Sequence, residues 1–259
     1  MPFTFAHPSI VLPLYKNRWF SFTALVCGSM SPDFEYFLRM QPYSVYSHTI
    51  AGLLFFNLPI VFLISFLFHE MVKWPMLACS PEWFRKGLLP LGMTAWWRPT
   101  SWRSIVIFVY SALFGSLSHI VWDSFTHQGA YFVDRLAFLQ ETLHVAGTEV
   151  PMFKLFQHGS TLLGLGAIAL ILIRLCFVNR RLSFQRVCTP LQKWLYWICV
   201  GIIGIASACI HSLVKKGVLP FADFLSSIVP FLSGSLLGLL IVSWFWDRWV
   251  SKNRAGLPL

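Results

Sequence analysis

The chain has 259 residues, of which 56% are hydrophobic, 17% aromatic and only 12% charged, against roughly 25% charged residues in a soluble globular domain. Ten acids face twenty Lys and Arg, for a net charge of +10, and so small a charged inventory cannot cover a solvated surface. An ordinary cytosolic enzyme is excluded, and the wealth of Phe, Leu and Trp excludes collagen, coiled-coil and disordered classes.

In chain order, residues 1–14 lack the basic start and small-residue cleavage site of a signal peptide, so this stretch is expected to persist in the mature protein. The apolar segment 19–38 follows, interrupted by Gly28-Ser29-Met30-Ser31-Pro32. Its helix is expected to stop and restart, with Ser31 as cap and Pro32 in the first helical position, and the segment either spans or re-enters. Five apolar runs then approach the roughly 20 residues that cross a bilayer: 49–68, 104–122, 159–178, 194–213 and 227–246. The expected fold is therefore all-α and polytopic, with five clear transmembrane helices and an interrupted or re-entrant N-terminal segment. We expect one membrane domain over 1–259, in which 1–165 carry the polar site and 166–259 form the rest of the bundle.

Loop charge orients such a chain, because Lys and Arg are retained on the cytoplasmic side. Counting six crossings, one side receives Lys16, Arg18, Lys73, Arg85, Lys86, Arg98, Arg103, Arg174, Arg180, Arg181, Arg186, Lys193, Arg248, Lys252 and Arg254. The other side receives only Arg39, Arg135, Lys154, Lys215 and Lys216. Both termini are thereby expected in the cytoplasm. The basic excess is accounted for by topology and anionic headgroups, without a nucleic-acid partner. Cys27, Cys176, Cys199 and Cys209 fall in apolar runs, and Cys79 and Cys188 in loops facing the reducing side, so no disulfide framework is expected.

The acids and histidines played no part in that orientation, yet most collect on the outer side: Asp33, Glu35, His48, His119, Asp123, His127, Asp134, Glu141, His144, Glu149, His158, His211 and Asp223. The densest element is His119-Ile-Val-Trp-Asp123-Ser-Phe-Thr-His127, where intervals of four put neighbouring members on one helical face. An uninterrupted helix separates its two histidines by about 12 Å, too far for one ion with bonds near 2.0–2.2 Å. Either Asp123 is shared between two ions, or the helix unwinds after Asp123 to serve one. Neutral imidazole with carboxylate suits Zn²⁺ or a similar borderline divalent metal. His69, His144 and His211 read as hydrogen-bonding residues.

The order His7, Pro32-Asp33, His48, His119-x-x-x-Asp123-x-x-x-His127, His158 resembles the ligand order of the zinc-dependent phospholipase C superfamily. It is more similar still to the membrane-embedded metal-dependent hydrolases of the bacterial inner membrane, an uncharacterised family. Met-Pro-Phe-Thr-Phe-Ala-His-Pro, Gly-Ser-Met-Ser-Pro-Asp-Phe-Glu-Tyr, Trp-Asp-Ser-Phe-Thr-His and Gln-His-Gly-Ser carry the likeness, which covers residues 1 to about 165. The resemblance implies one to three zinc ions on a helical scaffold. Asp33, His48, His119 and Asp123 would hold the first, His127 and His158 the second, and His7, sharing Asp123, the third. Two departures stand out. The soluble pattern has an acid one turn after the last histidine where this chain has Leu162, leaving Asp134, Glu141 or Glu149 as substitutes, and it uses an N-terminal Trp where this chain has Met1. A full crossing by 19–38 would also strand His7 on the wrong side. A hairpin would return it, with Lys16 and Arg18 at the tip in need of snorkelling or a polar cavity.

A metal cluster at the outer membrane boundary has access to a lipid phosphoester or a lipid-linked phosphate. The expected activity is hydrolysis through metal-activated water, with Asp33 or Glu35 as general base. Arg39, Arg135, Lys154, His211 and Lys215 are the groups on that side available to phosphate charge. The alternatives are a metal-binding transporter, disfavoured because transport sites sit near the midplane within repeats, and a metal-stabilised scaffold without turnover, which a closed coordination shell would favour.

Overall fold

The structure is a computed structural model, which describes residues 3–92, 98–145, 147–179, 188–217 and 224–254. Met1, Arg180, Arg181, Arg186 and Asp223 lie outside the described residues. Among the described residues the architecture is all-α, with one small two-stranded hairpin, and five helices are long and apolar enough to cross a membrane.

The N-terminal segment is a 3-10 helix over Thr4–Leu14, 11 residues long, with Pro8 and Pro13 inside it. Each proline removes a backbone donor and clashes with a continuing α-helix, which accounts for the tighter winding. At about 2.0 Å per residue it reaches some 22 Å. The chain turns through residues 15–20 and returns as α1, Phe22–Met30, only 9 residues long. The segment thus doubles back as a hairpin instead of crossing once. Ser21 caps α1 by accepting from the Ala24 amide. A 3-10 turn over Ser31–Asp33 then leads into α2, Phe34–Arg39. The interruption falls where Gly28 to Pro32 predict it, although the Ser31 hydroxyl donates back to the Gly28 carbonyl instead of capping α2.

The first span, α3, runs Ile50–Cys79, capped by Thr49 accepting from the Gly52 amide, and contains π turns over Leu53–Asn57 and Phe68–Val72. After α4, Glu82–Gly92, the second span α5 covers Trp102–Asp123, opened by a capping box between Ser101 and Ser104. A short α6, Ala137–Gln140, precedes β1, Thr142–Val145, and β2, Thr148–Pro151, which pair antiparallel. The remaining spans are α7, Met152–Val178, α8, Pro190–Lys216, and α9, Phe224–Arg254. α8 has Thr189 and Gln192 in a capping box, Pro190 in the first turn and Gly217 at φ 68° closing it in the left-handed conformation, the pattern expected of a helix with both ends encoded locally.

The chain divides into two compact units. The first comprises Met1–Asp33, Val45–Phe62 and Thr94–Arg174; the second, Phe34–Ser44, Leu63–Met93 and Leu175–Leu259. In the first, Ala24, Val61, Phe108 and Ala112 form an apolar core beneath the site. α1 and α5 approach closely because glycines face backbone on both sides: a Cβ at Gly28 would collide with the Ala112 carbonyl, and one at Gly115 with that of Leu25. In the second unit, the core gathers Ala78, Cys79, Cys188, Tyr196 and Val200, with the buried Tyr196 hydroxyl paired to Ser243 at 2.7 Å.

One expectation is corrected here. Cys79 and Cys188 form a disulfide, with Cα atoms 5.3 Å apart, and the Cys188 amide donates to the Ala78 carbonyl at 3.2 Å. The sequence places them 109 residues apart; only the docking of the segment before α8 against the end of α3 brings them together.

Candidate metal centre

α5 builds the site. Its buried residues Ser111, Ala112, Gly115, Ser116, His119 and Asp123 form one stripe, small or polar at every step, on the face that receives the N-terminal hairpin. The Ser111 hydroxyl accepts from the Ser21 amide at 3.0 Å, Ser116 meets Ser31 at 2.9 Å, and His119 Nδ1 meets the Ser29 carbonyl at 2.7 Å. These bonds satisfy polar groups where an unpaired one is costly. They also register the hairpin so that Asp33 arrives beside His119.

Four residues converge: Asp33, His48, His119 and Asp123 each offer a ligand atom, all within 4.8 Å of one another. His119 Nε2 lies 3.5 Å from Asp33 Oδ1 and 3.3 Å from Asp123 Oδ2, and His48 Nε2 lies 3.9 and 3.7 Å from the same two oxygens. Ligands about 2.1 Å from a tetrahedral centre stand about 3.4 Å apart, so the spacing suits a divalent ion. His119 Nε2, Asp33 Oδ1 and Asp123 Oδ1 are buried without a hydrogen-bond partner, an arrangement a bound cation resolves.

Supporting contacts orient these ligands. With Nδ1 donating to the Ser29 carbonyl, His119 keeps Nε2 as its free lone pair. The Thr4 hydroxyl donates to Asp33 Oδ2 at 2.5 Å, and Ser47 Oγ lies 3.0 Å from His48 Nδ1. Asn57, in the first π turn of α3, donates to the Ser47 carbonyl at 2.8 Å and holds the loop that carries His48.

Asp123 is the shared residue. Its Oδ2 faces His48 and His119, while Oδ1 lies 3.5 Å from His7 Nε2 and 3.7 Å from His127 Nδ1. α5 ends at Asp123, and His127 Nδ1 turns back to the Asp123 carbonyl at 3.1 Å. The helix therefore stops where a continuous one would have carried His127 away, and the residue still reaches only the far side of the carboxylate. His7 stacks on His119 with ring centroids 3.7 Å apart, and both its nitrogens, like His127 Nε2, are buried without a hydrogen-bond partner. Burial lowers the pKa of His127, beyond the end of α5, which favours the neutral, ligating imidazole. The hairpin is what brings His7 here.

Other expected residues lie elsewhere. His158 is exposed on α7, whose buried positions in this region are Phe153 and Gln157; one residue's rotation of about 100° turns it off that face. Leu162 is exposed with it. Asp134 and Glu141 are exposed, and Glu149 pairs with His144 across the strands at 3.4 Å. Glu35, Arg39, His211 and Lys215 belong to the second unit, where the Glu35 carboxylate holds Arg39 at 2.9 Å. Arg135 lies over the Tyr131 ring at 3.7 Å, and Lys154 is exposed. Thr4, Ser29, Ser47 and Asn57 were missed. The one available signal was small or polar residues recurring at helical spacing in otherwise apolar helices.

A family model, a domain of unknown function (DUF4184), matches residues 1–244, and the chain belongs to that family. The match extends beyond residue 165 and reaches into the last helix. No curated protein and no solved structure matches the chain.

Proposed function

We propose, for this member of the DUF4184 family, a membrane-embedded, metal-dependent hydrolase that acts on a phosphoester such as a phospholipid or a lipid-linked phosphate. The carrying observation is the buried Asp33, His48, His119 and Asp123 cluster at the end of a membrane-spanning helix, with ligand atoms at metal spacing. These four would hold the first ion, most simply Zn²⁺; His7 and His127, on the other side of Asp123, extend the set toward a second. When bound, such an ion polarises a phosphoryl oxygen and lowers the pKa of a water.

The chain's own residues supply the rest. Asp33, fixed by Thr4, and Asp123, fixed between two histidine pairs, concentrate negative charge where a cation and a phosphoryl group would meet. Asp33 stands among the ligands, so its fit is to coordination; Glu35 is engaged by Arg39. The site is closed on one side and open on the other: the side chains of His7, Asp33 and His119 are at most 1% exposed, while His48 and His127 are 23% and 27% exposed. His48 and His127 give the cluster an edge that water and substrate can reach, as hydrolysis requires; because four protein ligands fill a tetrahedral shell, the attacking water would enter at a fifth position. Ligands gathered at helix ends, with no internal repeat, weigh against transport.

For orientation, the re-entrant hairpin leaves five spans, so residues near His7 share the site's side. The basic loops mark the cytoplasm. The site then faces the extracytoplasmic side of the bacterial inner membrane and the N-terminus lies with it, in place of the two cytoplasmic termini that six crossings imply.

The test is phosphate release from a panel of phospholipids and lipid-linked phosphates by metal-loaded protein in detergent, beside His119→Ala. Release by wild type, lost in the variant and on chelation, is expected. A metal-replete protein inactive on every member of the panel would return the scaffold reading, and chelator-insensitive release would remove the metal mechanism.

A further inference from the structure

A second feature of the first unit is independent of the metal reading. The tip of the re-entrant hairpin and the start of α5 enclose a cavity of about 630 Å³, within the 300–1,000 Å³ range of ligand pockets. Lys16, Arg18 and Arg103 line it, with Asn17, Ser101 and Thr23 as neutral hydrogen-bonding groups. Among the described residues, no carboxylate contributes to its wall and none of the three cations stands in an ion pair. Arg18 and Arg103 both lie against the Trp19 ring, at 5.1 and 6.0 Å, so one interfacial aromatic steadies two guanidinium groups. Tyr15, Phe20 and Phe22 complete an apolar wall.

Position says which surface this is. Arg103 and Asp123 are 20 residues apart on one continuous helix, a rise of about 30 Å, or one hydrocarbon thickness. The cavity therefore opens at the membrane boundary opposite the metal centre. Three cations over an apolar wall without a described carboxylate partner, at headgroup depth, match one chemistry: a phosphate group, multiply contacted by guanidinium and ammonium donors, with its less polar substituent against the aromatic rings.

We propose that this cavity is a phosphate-ester binding site, occupied by the headgroup of an anionic phospholipid from the leaflet opposite the metal centre. It anchors the hairpin tip, whose other end delivers His7 and Asp33, without taking part in the metal chemistry. Cations near an anionic surface contribute about five-fold each in affinity, so removing three is expected to cost on the order of a hundred-fold.

The experiment is native mass spectrometry of the full chain in detergent, titrated separately with phosphatidylglycerol, phosphatidylcholine and soluble glycerol phosphate. Wild type is expected to retain phosphatidylglycerol at least ten-fold better than phosphatidylcholine, and Lys16→Gln/Arg18→Gln/Arg103→Gln to lose that preference. A control removing equal charge elsewhere, Arg174→Gln/Lys193→Gln/Arg248→Gln, is expected to keep it. Equal retention of both lipids by wild type, or undiminished preference in the cavity variant, overturns the proposal. So does loss of preference in both triple variants, which would mark general charge attraction. Should the cavity triple fail to fold, Arg103→Gln against Arg103→Lys decides: weakening in the first and retention in the second support the site, and equal behaviour sinks it. Glycerol phosphate binding as tightly as the lipid would place the ligand's source in solution and overturn the lipid assignment.

Discussion

The two ends of α5 meet opposite demands with the same backbone. At its C-terminal end, His119 and Asp123 are nearly inaccessible and every polar atom is either held by a neighbour or aimed at a common point. At its N-terminal end, Arg103 is exposed and Ser101 and Ser104 satisfy each other in a capping box. Buried charge must be matched by partners or by a metal, whereas charge at the headgroup level is held by water and lipid. The re-entrant hairpin touches both ends. Its two arms, joined at the cationic tip, carry His7 and Asp33 back to the acidic end.

The largest effect is expected from breaking the hairpin's seat. Gly115→Leu drives a side chain into the Leu25 carbonyl and Ser29 amide; metal content and phosphatidylglycerol preference are both expected to vanish, and wild-type values for either would separate that end from the hairpin. Asp123→Ala removes the residue shared by all four histidines and is expected to reduce bound metal to background by elemental analysis, with the lipid preference within two-fold of wild type. If that variant kept its metal, the site would be elsewhere. A graded change is expected from Thr4→Val, which deletes the Asp33 contact while leaving the ligands, and should weaken metal binding about 10- to 100-fold by competition with a chromophoric chelator. His158→Ala, on the exposed face, is the companion control, expected within two-fold of wild type; a loss matching Thr4→Val would put His158 among the ligands.

The smallest effect on either end is expected at Cys79 and Cys188, in the other unit. Reducing this disulfide, or replacing both residues by Ser, is expected to leave metal content and phosphatidylglycerol preference within two-fold of wild type, by elemental analysis and native mass spectrometry; a loss of metal would couple the pair to the site.

Much of this was legible because it depends on composition and local spacing. The five spans follow from apolar length, and the break at Gly28 to Pro32 from residues that end helices whatever surrounds them. The His119-x-x-x-Asp123 pair follows from helical periodicity, and Asp33 and His48 from their places at segment ends. The misjudged positions depend on contacts between distant segments. His158 lies in the second turn of α7, which begins at Met152, and is rotated outward; no local rule distinguishes its face from that of Gln157. The pairing of Cys79 with Cys188 is likewise set by docking.

The amino-acid order alone determined that this protein lives in a membrane, which stretches form its apolar spans, and which scarce polar residues were available for a site. Apolar length and capping act within a few residues, so they can be read from a string. Only the tertiary structure decided that the first segment turns back, that His7 lies beside Asp123 while His158 is exposed, and that one carboxylate faces histidines on two sides. Those outcomes rest on glycine-to-backbone contact and serine hydrogen bonds between α1 and α5, made by residues about 90 positions apart.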